Sequence, residues 1–428
     1  MKRFRRMTQI SATGLSLLVA GLMAGLVASS AHGQSCQPSG SFESFKADIA
    51  DEAAAQGVSS SVIRRIVPTL SYSNSVIAAD RKQGVFAQSF LQFSDRMVAP
   101  YRISGGRDRL KRHAKIFQDV EAEYSVPGAV ISAFWALETD FGAVLGNFNT
   151  LNALATLSYD CRRPELFRPQ LIAALKLLDR GDLSAAQMQG AWAGELGQLQ
   201  ILPSDYLDNG VDYDRDGRVD LLKNTGDVLA TGAKFLNHLG WRRGEPWLQE
   251  VSVPNNLPWE QAGIYNKLPT RDWAAMGVTA RNGPALDGNT LPASLILPMG
   301  RKGPAFLAYP NFSIFLEWNQ SLVYTTSAGY LATRINGAPT LNRGNPDDIL
   351  PIDQAKQLQS LLQQRGYDVG KIDGIIGSGT RAAVRAVQLK LGHPADAWPT
   401  RALLRELQGN QGSALTPPPP PPLPKARP

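Results

Sequence analysis

Between Pro127 and Gly142 the apolar residues Val130, Ile131, Phe134, Trp135, Leu137 and Phe141 recur at helical spacing. Turned through about 100° per residue they form one broad arc. Ser125 offers a cap and Pro127 a first-turn residue, so a helix is predicted over 127–142. The same period runs through much of residues 41–240. Phe42, Phe45, Ile49 and Ala53 predict a helix that Gly57 ends. Leu110, Ala114, Phe117 and Val120 predict a charged amphipathic helix from Arg107 to Tyr124, and further helices are predicted over 151–157 and 168–178. Period-two stretches are scarce here, which favours a helical core.

Residues 241–337 have a different texture. Gly, Pro and Asn are frequent, and the apolar runs are short, such as Leu295-Ile296-Leu297. Helices are predicted to return over 313–318 and 327–335. Residues 338–351, with three Pro, read as a linker. Residues 352–408 read as a compact unit of short helices. Residues 409–428 contain an unbroken run from Pro417 to Pro422, which predicts an extended tail.

The first residues set the compartment. Lys2, Arg3, Arg5 and Arg6 precede an apolar run from Gly14 to Val27 and a small-residue site, Ala31-His32-Gly33. Residues 1–33 therefore read as a secretory signal peptide cut after Gly33. An uncleaved membrane anchor is the alternative, for which the apolar run is short; no other stretch is suited to crossing a bilayer, so no span is expected after cleavage. The formal net charge of +7 suits a polyanionic surface, but no long basic run marks a nucleic-acid groove. Cys36 and Cys161 are the two cysteines; in an exported chain they predict one disulfide, with two independent thiols as the alternative. So few Cys and His argue against zinc, and no His accompanies a Gly-x-Ser-x-Gly turn of a serine hydrolase.

Three stretches carry chemistry. Glu138 falls near the middle of the apolar arc, with Asp140 roughly opposite beside Ala133 and Ala136. A carboxyl in an apolar wall loses solvation on ionising, so its pKa rises, and it becomes a proton donor suited to a glycosidic bond. The residues alone leave a second reading, a structural Glu paired with an Arg. Residues 190–204 interleave three Gly with Trp192, Gln198 and Gln200 before Pro203. Glycines admit close backbone approach, Gln offers donor and acceptor to sugar hydroxyls, and an aromatic face stacks on a pyranose. A Gly-rich turn is the alternative. Asp212, Asp214, Asp216 and Asp220, with Gly217, match the first nine positions of a calcium loop. Lys223 stands where the bidentate Glu is expected, and Asp227 is a candidate substitute. An acidic turn without metal is the alternative.

Taken in order, these motifs resemble the soluble lytic murein transglycosylases of the membrane-bound lytic transglycosylase B family over residues 41–335. Leu137-Glu138-Thr139-Asp140-Phe141-Gly142 resembles the catalytic segment, and Leu154 to Tyr159 follows at the family's interval. Gly190 to Gln200 with Pro203-Ser204 resembles the substrate groove, the Asp212 loop the calcium site, and Trp318-Asn319-Gln320-Ser321 the late cleft motif. Ala191 and Glu195 depart from the pattern, standing where other members carry Ser and Ala. Residues 352–408 resemble a three-helix peptidoglycan-binding domain through Asp373-Gly374-Ile375-Ile376-Gly377 and Thr380-Arg381-Ala382-Ala383-Val384.

The resemblance implies a mainly α protein. Its catalytic region, residues 34–337, would be lysozyme-like and helical with a small irregular α/β portion, followed by a small three-helix wall-binding domain. It implies non-hydrolytic cleavage of the β-1,4 bond from N-acetylmuramic acid to N-acetylglucosamine, with Glu138 as sole catalytic carboxylate and a 1,6-anhydromuramyl product. Trp192, Gln198, Gln200, Trp318 and Asn319 are the substrate-binding candidates. Peptidoglycan glycan strands are the expected partner, the periplasm the expected location, and no cofactor is expected beyond a structural calcium ion. Two other readings remain at this point. One is a water-using muramidase with Glu195 or Asp140 as second acid; the other is a non-catalytic wall-binding protein.

Overall fold

The computed structural model describes Pro38, residues 40–81 and residues 88–409. The signal-peptide reading, Cys36 and the Pro-rich tail lie outside the described residues.

The helical region opens with α1 (Phe42–Ala55), where the Ser41 hydroxyl accepts the Ser44 N–H and Phe45, Ile49 and Ala53 are buried, as their spacing predicts. Then come α2 (Ser60–Ile66), α3 (Asn74–Arg81), α4 (Phe90–Met97), α5 (Pro100–Arg112) and α6 (Ala114–Tyr124). The single helix predicted from Arg107 to Tyr124 is thus two. His113, at φ −110° and ψ 31°, breaks it, and α5 starts earlier with Pro100 in its first turn. Ser125 is not the cap of the next helix. It ends α6 in the left-handed region at φ 66°, and Pro127 takes the cap position of α7 (Gly128–Thr139).

Eleven of the twelve α7 residues are buried; Glu138 is the exception. The expected apolar arc is present, but the opposite side is buried too. Ala133 and Ala136 are fully covered, because α5, α6, α11 (Thr225–His238) and α14 (Leu322–Ile335) pack around α7. A helix that is apolar all round is a core helix. Between α7 and α11 lie β1 (Phe148–Asn149), α8 (Thr150–Tyr159), α9 (Pro164–Arg180), β2 (Gln189–Gly190) and α10 (Pro203–Asn209). Antiparallel pairing of β1 with β2 places Phe148 opposite Gly190 and brings the Gly-rich segment beside the end of α7.

The irregular region contains a five-stranded antiparallel sheet in the order β4-β6-β7-β3-β5. Its strands are β3 (Leu248–Ser252), β4 (Leu268–Pro269), β5 (Thr279–Ala280), β6 (Pro292–Ile296) and β7 (Ala305–Ala308). Leu295 pairs with Leu307 and Glu250 with Phe306. The apolar run at Leu295 does not alternate because consecutive residues of β6 and β7 are buried on both faces. This sheet, with α12 (Thr270–Ala275), encloses a second core around Trp259, Trp273, Leu295 and Leu307. The chain then returns to the first core through α13 (Phe312–Trp318) and α14.

The C-terminal unit consists of α15 (Ile352–Gln364), α16 (Ser378–Lys390) and α17 (Arg401–Gly409) around Leu358, Leu362, Val384, Val387, Leu404 and Leu407. It is docked on the rest of the chain. Trp398 is buried in the main core beside Gly300, Arg381 donates to the carbonyls of Leu297 and Pro298, and the Arg301 N–H donates to Asp396. Residues 338–351 form no helix or strand, as a linker reading requires, yet they are pinned along their length. The Asn342 N–H donates to Glu250, and Arg343 makes a two-pronged ion pair with Asp95. Gly344, at φ 61°, lies so close to the Lys302 carbonyl that a Cβ would meet it at 2.1 Å. Among the described residues no helix is long and apolar enough to cross a membrane.

Candidate active site

Glu138 sits in the last turn of α7, where three successive residues in the left-handed region follow: Asp140, Phe141 and Gly142. Side chains hold this turn. The Thr139 hydroxyl donates to the Gln198 carbonyl at 2.6 Å and accepts the Gly142 N–H at 2.8 Å. Gly142 is required here, since a Cβ at φ 87° would strike the Gln198 side chain at 2.4 Å. Arg102 grips both oxygens of Asp140, at 2.6 and 3.0 Å, and its hydrogen bonds hold that carboxyl below the usual range. Asp140 is therefore a clamp on the helix end, not a second acid.

Two side chains donate to Glu138, and both reach Oε1. Trp318 donates its indole N–H at 3.1 Å, and Tyr324 donates its hydroxyl. The indole is held in place by stacking on Phe134, with ring centres 4.3 Å apart, and by contact with Phe235. Enclosure by protein pushes the Glu138 carboxyl up to about 7; the two donors pull it down, and Glu195 adds to the rise. The residue stays partly accessible to solvent, so the acid faces the cleft while its surroundings desolvate it.

The bend between α13 and α14 builds this wall. Asn319 ends α13 in extended conformation, its Oδ1 accepts the Ser321 N–H at 2.9 Å, and its carbonyl accepts the Thr325 hydroxyl at 2.7 Å. Ser321 caps α14 by accepting the Tyr324 N–H. This cap starts α14 five residues before its predicted beginning at Ser327. Val323, Thr325 and Thr326 are β-branched and weaken the local helix signal, but the cap and burial of Thr325 and Thr326 outweigh that preference. Tyr324, which sequence reasoning missed, lies in that early turn.

A cavity of about 430 Å³ opens at Glu138 and is lined by Ala191, Glu195, Gln200, Phe235, Trp318 and Asn319, among others. Gln200, at φ 49°, donates from Nε2 to the Leu145 and Gly197 carbonyls. Gln198 and Trp192 are not among the lining residues. The Gln198 amide is committed to the scaffold, accepting from the Trp135 indole at 2.8 Å and donating to the Leu222 carbonyl at 2.9 Å. Trp192 is half-buried against the helical core. Glu195 lines the cavity, and burial raises its carboxyl; its Oε2 is shielded from solvent and has no hydrogen-bond partner. Size alone does not select this cavity. A hollow of about 510 Å³ beside α5 and α14 contains Arg343 and Arg107, but these already serve Asp95 and the carbonyls of Arg334 and Ile335.

The acidic loop brings a different set together from the one its spacing suggests. Carboxylate oxygens of Asp212, Asp214 and Asp227 lie within 4.8 Å of one another. Asp216 and Asp220 are outside this group. Asp216 accepts the Arg218 N–H, and Asp220 accepts the N–H groups of Leu222 and Lys223. Asp227 is buried, and its carboxyl is raised by burial and by the charges of Asp214 and Asp212. A buried carboxylate facing two others fits a hard cation. Cys161 lies in the turn between α8 and α9 and is not a free thiol.

Residues 41–333 match the transglycosylase SLT domain family, and residues 353–407 match the putative peptidoglycan binding domain family. The chain is 27% identical over 251 residues to membrane-bound lytic murein transglycosylase B of Escherichia coli K12, an alignment covering 58% of this chain and 67% of that protein. Its fold superposes with a TM-score of 0.80 on the crystal structure of SltB3 from Pseudomonas aeruginosa in complex with NAG-anhNAM-pentapeptide. The two are 38% identical, over 86% of this chain and 99% of that one. The E. coli transglycosylase Slt35, solved in complex with calcium, shares the fold at a TM-score of 0.60 and 23% identity, over 71% of this chain and 97% of that one.

Proposed function

Because the chain belongs to the transglycosylase SLT domain family, we propose that Glu138 is the acid, and then the base, of its reaction. The protein is a lytic murein transglycosylase. It cleaves the β-1,4 bond between N-acetylmuramic acid and N-acetylglucosamine without water and leaves 1,6-anhydromuramyl ends. The observation that carries the role of Glu138 is its place in the cavity lining with Trp318 and Tyr324 both donating to Oε1, in an enclosure that pushes its carboxyl up to about 7.

With Oε1 occupied by Trp318 and Tyr324, the acid proton belongs on Oε2. That proton passes to the glycosidic oxygen as the bond to the muramyl C1 breaks and positive charge develops on the ring. The two donors on Oε1 then stabilise the carboxylate so formed. The carboxylate removes the proton of the C6 hydroxyl as O6 attacks C1. The anhydro ring closes, and Glu138 regains its proton. No water and no cofactor enter this cycle. A hydrolase of the two-carboxylate kind would need a partner to activate water. Asn319 and Gln200, which line the cavity, are proposed to orient the sugar, with Trp318 serving both the substrate and Glu138. The test is the mass of products from purified sacculi. Each anhydro end weighs one water less than a hydrolysed end, and Glu138→Gln should give neither. Lysis at the wild-type rate by a folded Gln variant would remove Glu138 from this role.

The remaining features follow the same reading. Residues 1–33 direct export to the periplasm, and residues 352–408 bind the wall. Cys36 is proposed to pair with Cys161 there, which predicts no alkylation of either thiol until a reductant is added. A calcium ion, held by Asp212, Asp214 and Asp227, is proposed as a structural element away from the reaction.

A further inference from the structure

The hollow of about 510 Å³ beside α5 and α14 holds positive charge that its own walls leave uncompensated. Arg107, Lys111, Arg334 and Arg343 line it, against the carboxyls of Asp95 and Asp108. Arg343 and Asp95 cancel in their two-pronged ion pair. Arg107 covers the carbonyls of Arg334 and Ile335, at 2.6 and 3.3 Å, so the negative end of α14 does not meet the hollow bare. Lys111 is exposed and has no partner among the described residues. Arg334 donates from Nη1 to the hydroxyls of Tyr330 and Thr340, at 3.2 and 2.7 Å. Its Nε is shielded from solvent and has no acceptor, and its Nη2 has none among the described residues. The buried Tyr330 adds a further donor. Its oxygen accepts the Leu341 N–H at 3.0 Å as well as the Arg334 guanidinium, which fills both lone pairs. No acceptor among the described residues takes its proton.

Donors without acceptors beside a surplus of cations call for an anion with several oxygens. With Arg343 and Asp95 cancelled, Arg107, Lys111 and Arg334 face the single carboxyl of Asp108. That surplus matches a phosphate monoester, which carries close to two negative charges at neutral pH, better than it matches one carboxylate. Val98, Ile103 and Leu341 make part of the wall apolar, and the hollow has the size of a small-molecule site rather than of an ion site. We propose that this hollow binds a phosphate monoester: Lys111, Nη2 of Arg334 and the Tyr330 phenol hold the phosphate oxygens, and the apolar wall takes the organic part of the ligand. No residue lines both this hollow and the cavity at Glu138, so the site stands apart from the reaction. Its walls come from α4, α5, α14 and the segment 338–351, and a ligand seated there ties that segment to the helical core.

The experiment is isothermal titration of the full chain, at fixed ionic strength, with three probes: butyl phosphate, inorganic phosphate and butyrate. Butyl phosphate should bind about tenfold more tightly than inorganic phosphate, through its apolar part, and about tenfold more tightly than butyrate, through its second charge. Its affinity should fall as salt rises. Lys111→Glu changes an exposed side chain, so it should leave the melting temperature in place while weakening butyl phosphate by about tenfold or more. Tyr330→Phe keeps the ring and removes the proton, and should also weaken it. Arg64→Ala, which removes an exposed cation on α2 and none from the hollow, should bind as wild type does. Absence of butyl phosphate binding would overturn the proposal. Equal losses in Lys111→Glu and Arg64→Ala would overturn it too, by reducing the binding to attraction by the net charge of the protein. Butyrate binding as tightly as butyl phosphate would overturn the phosphate assignment and make the hollow a carboxylate site.

Discussion

The phenol of Tyr324 donates to Oε1 of Glu138 and joins the first turn of α14 to the last turn of α7. This bond lowers the Glu138 pKa against the larger opposing effect of burial. Tyr324→Phe should therefore raise that pKa. The limb of the kcat/KM profile that falls with rising pH, where Glu138 loses its proton, should move to higher pH. The maximal rate should fall, because the carboxylate formed during bond cleavage loses a donor. A pH–rate profile of the Phe variant superimposing on wild type would show that the phenol does not act on the acid.

Stability carries the same signature. The Glu138 carboxyl is raised in the folded protein to about 7 from an ordinary 4.5. The folded state then holds its proton more tightly than the unfolded chain. Stability falls as pH rises from about 4.5 to about 7, and levels off above. Glu138→Gln removes this loss. The variant should be more stable than wild type by at most about 3 kcal/mol above pH 7, with the advantage vanishing below pH 4.5. Denaturant melts at several pH values would measure the difference, and a constant offset across the range would contradict it.

Calcium should raise the melting temperature, by mass action on the folded form. At a hundredfold excess over its Kd the gain is about 2.7 kcal/mol. Asp227→Asn and Asp214→Ala should abolish it, while Asp216→Ala should retain most of it, since Asp216 lies outside the converging group. Isothermal titration of the three variants ranks them directly. Loss of binding in Asp216→Ala with retention in Asp227→Asn would reverse the ligand assignment.

Trp398 joins the C-terminal unit to the main core, with its indole N–H on the Asp347 carbonyl and the Arg381 guanidinium over its ring. Trp398→Ala should cost about 3–5 kcal/mol. It should also split one calorimetric unfolding transition into two, because it removes the buried apolar contact through which the C-terminal unit joins the main core. Two transitions already present in the wild-type protein would show that docking contributes little coupling.

How much of this was legible in the sequence varied with the range of the interaction. Glu138 stood out because helical periodicity is local: an acid within an apolar arc is visible within four turns of chain. Tyr324 was not visible, because it reaches Glu138 only through packing of α14 on α7, 186 positions along the chain. Gln198 shows the limit of residue type. An amide suited to a sugar hydroxyl is equally suited to an indole N–H, and here Trp135 holds it. The acidic loop was legible as a turn, but its spacing does not reveal that Asp220 spends its carboxylate on its own backbone while Asp227 folds back to join Asp212 and Asp214. The small α/β portion followed from the resemblance, but its strands were not readable from periodicity, because β4 and β5 are two residues long and β6 and β7 are buried at consecutive positions, which leaves no alternation.

The pinned segment 338–351 and the Trp398 contact change what a wall-binding module does for its enzyme. A flexible tether raises the local concentration of a catalytic site over the whole sphere its linker sweeps. A module fixed through Arg343, Arg381 and Trp398 sweeps nothing. It would work as a gauge: with the module on the wall, as proposed above, the cleft would stand at one set distance and angle from that grip. Bonds at that offset would be within reach, and those beyond it would become accessible only after the module let go and regripped. Lengthening residues 338–351 would therefore alter which bonds are cut before it altered how fast.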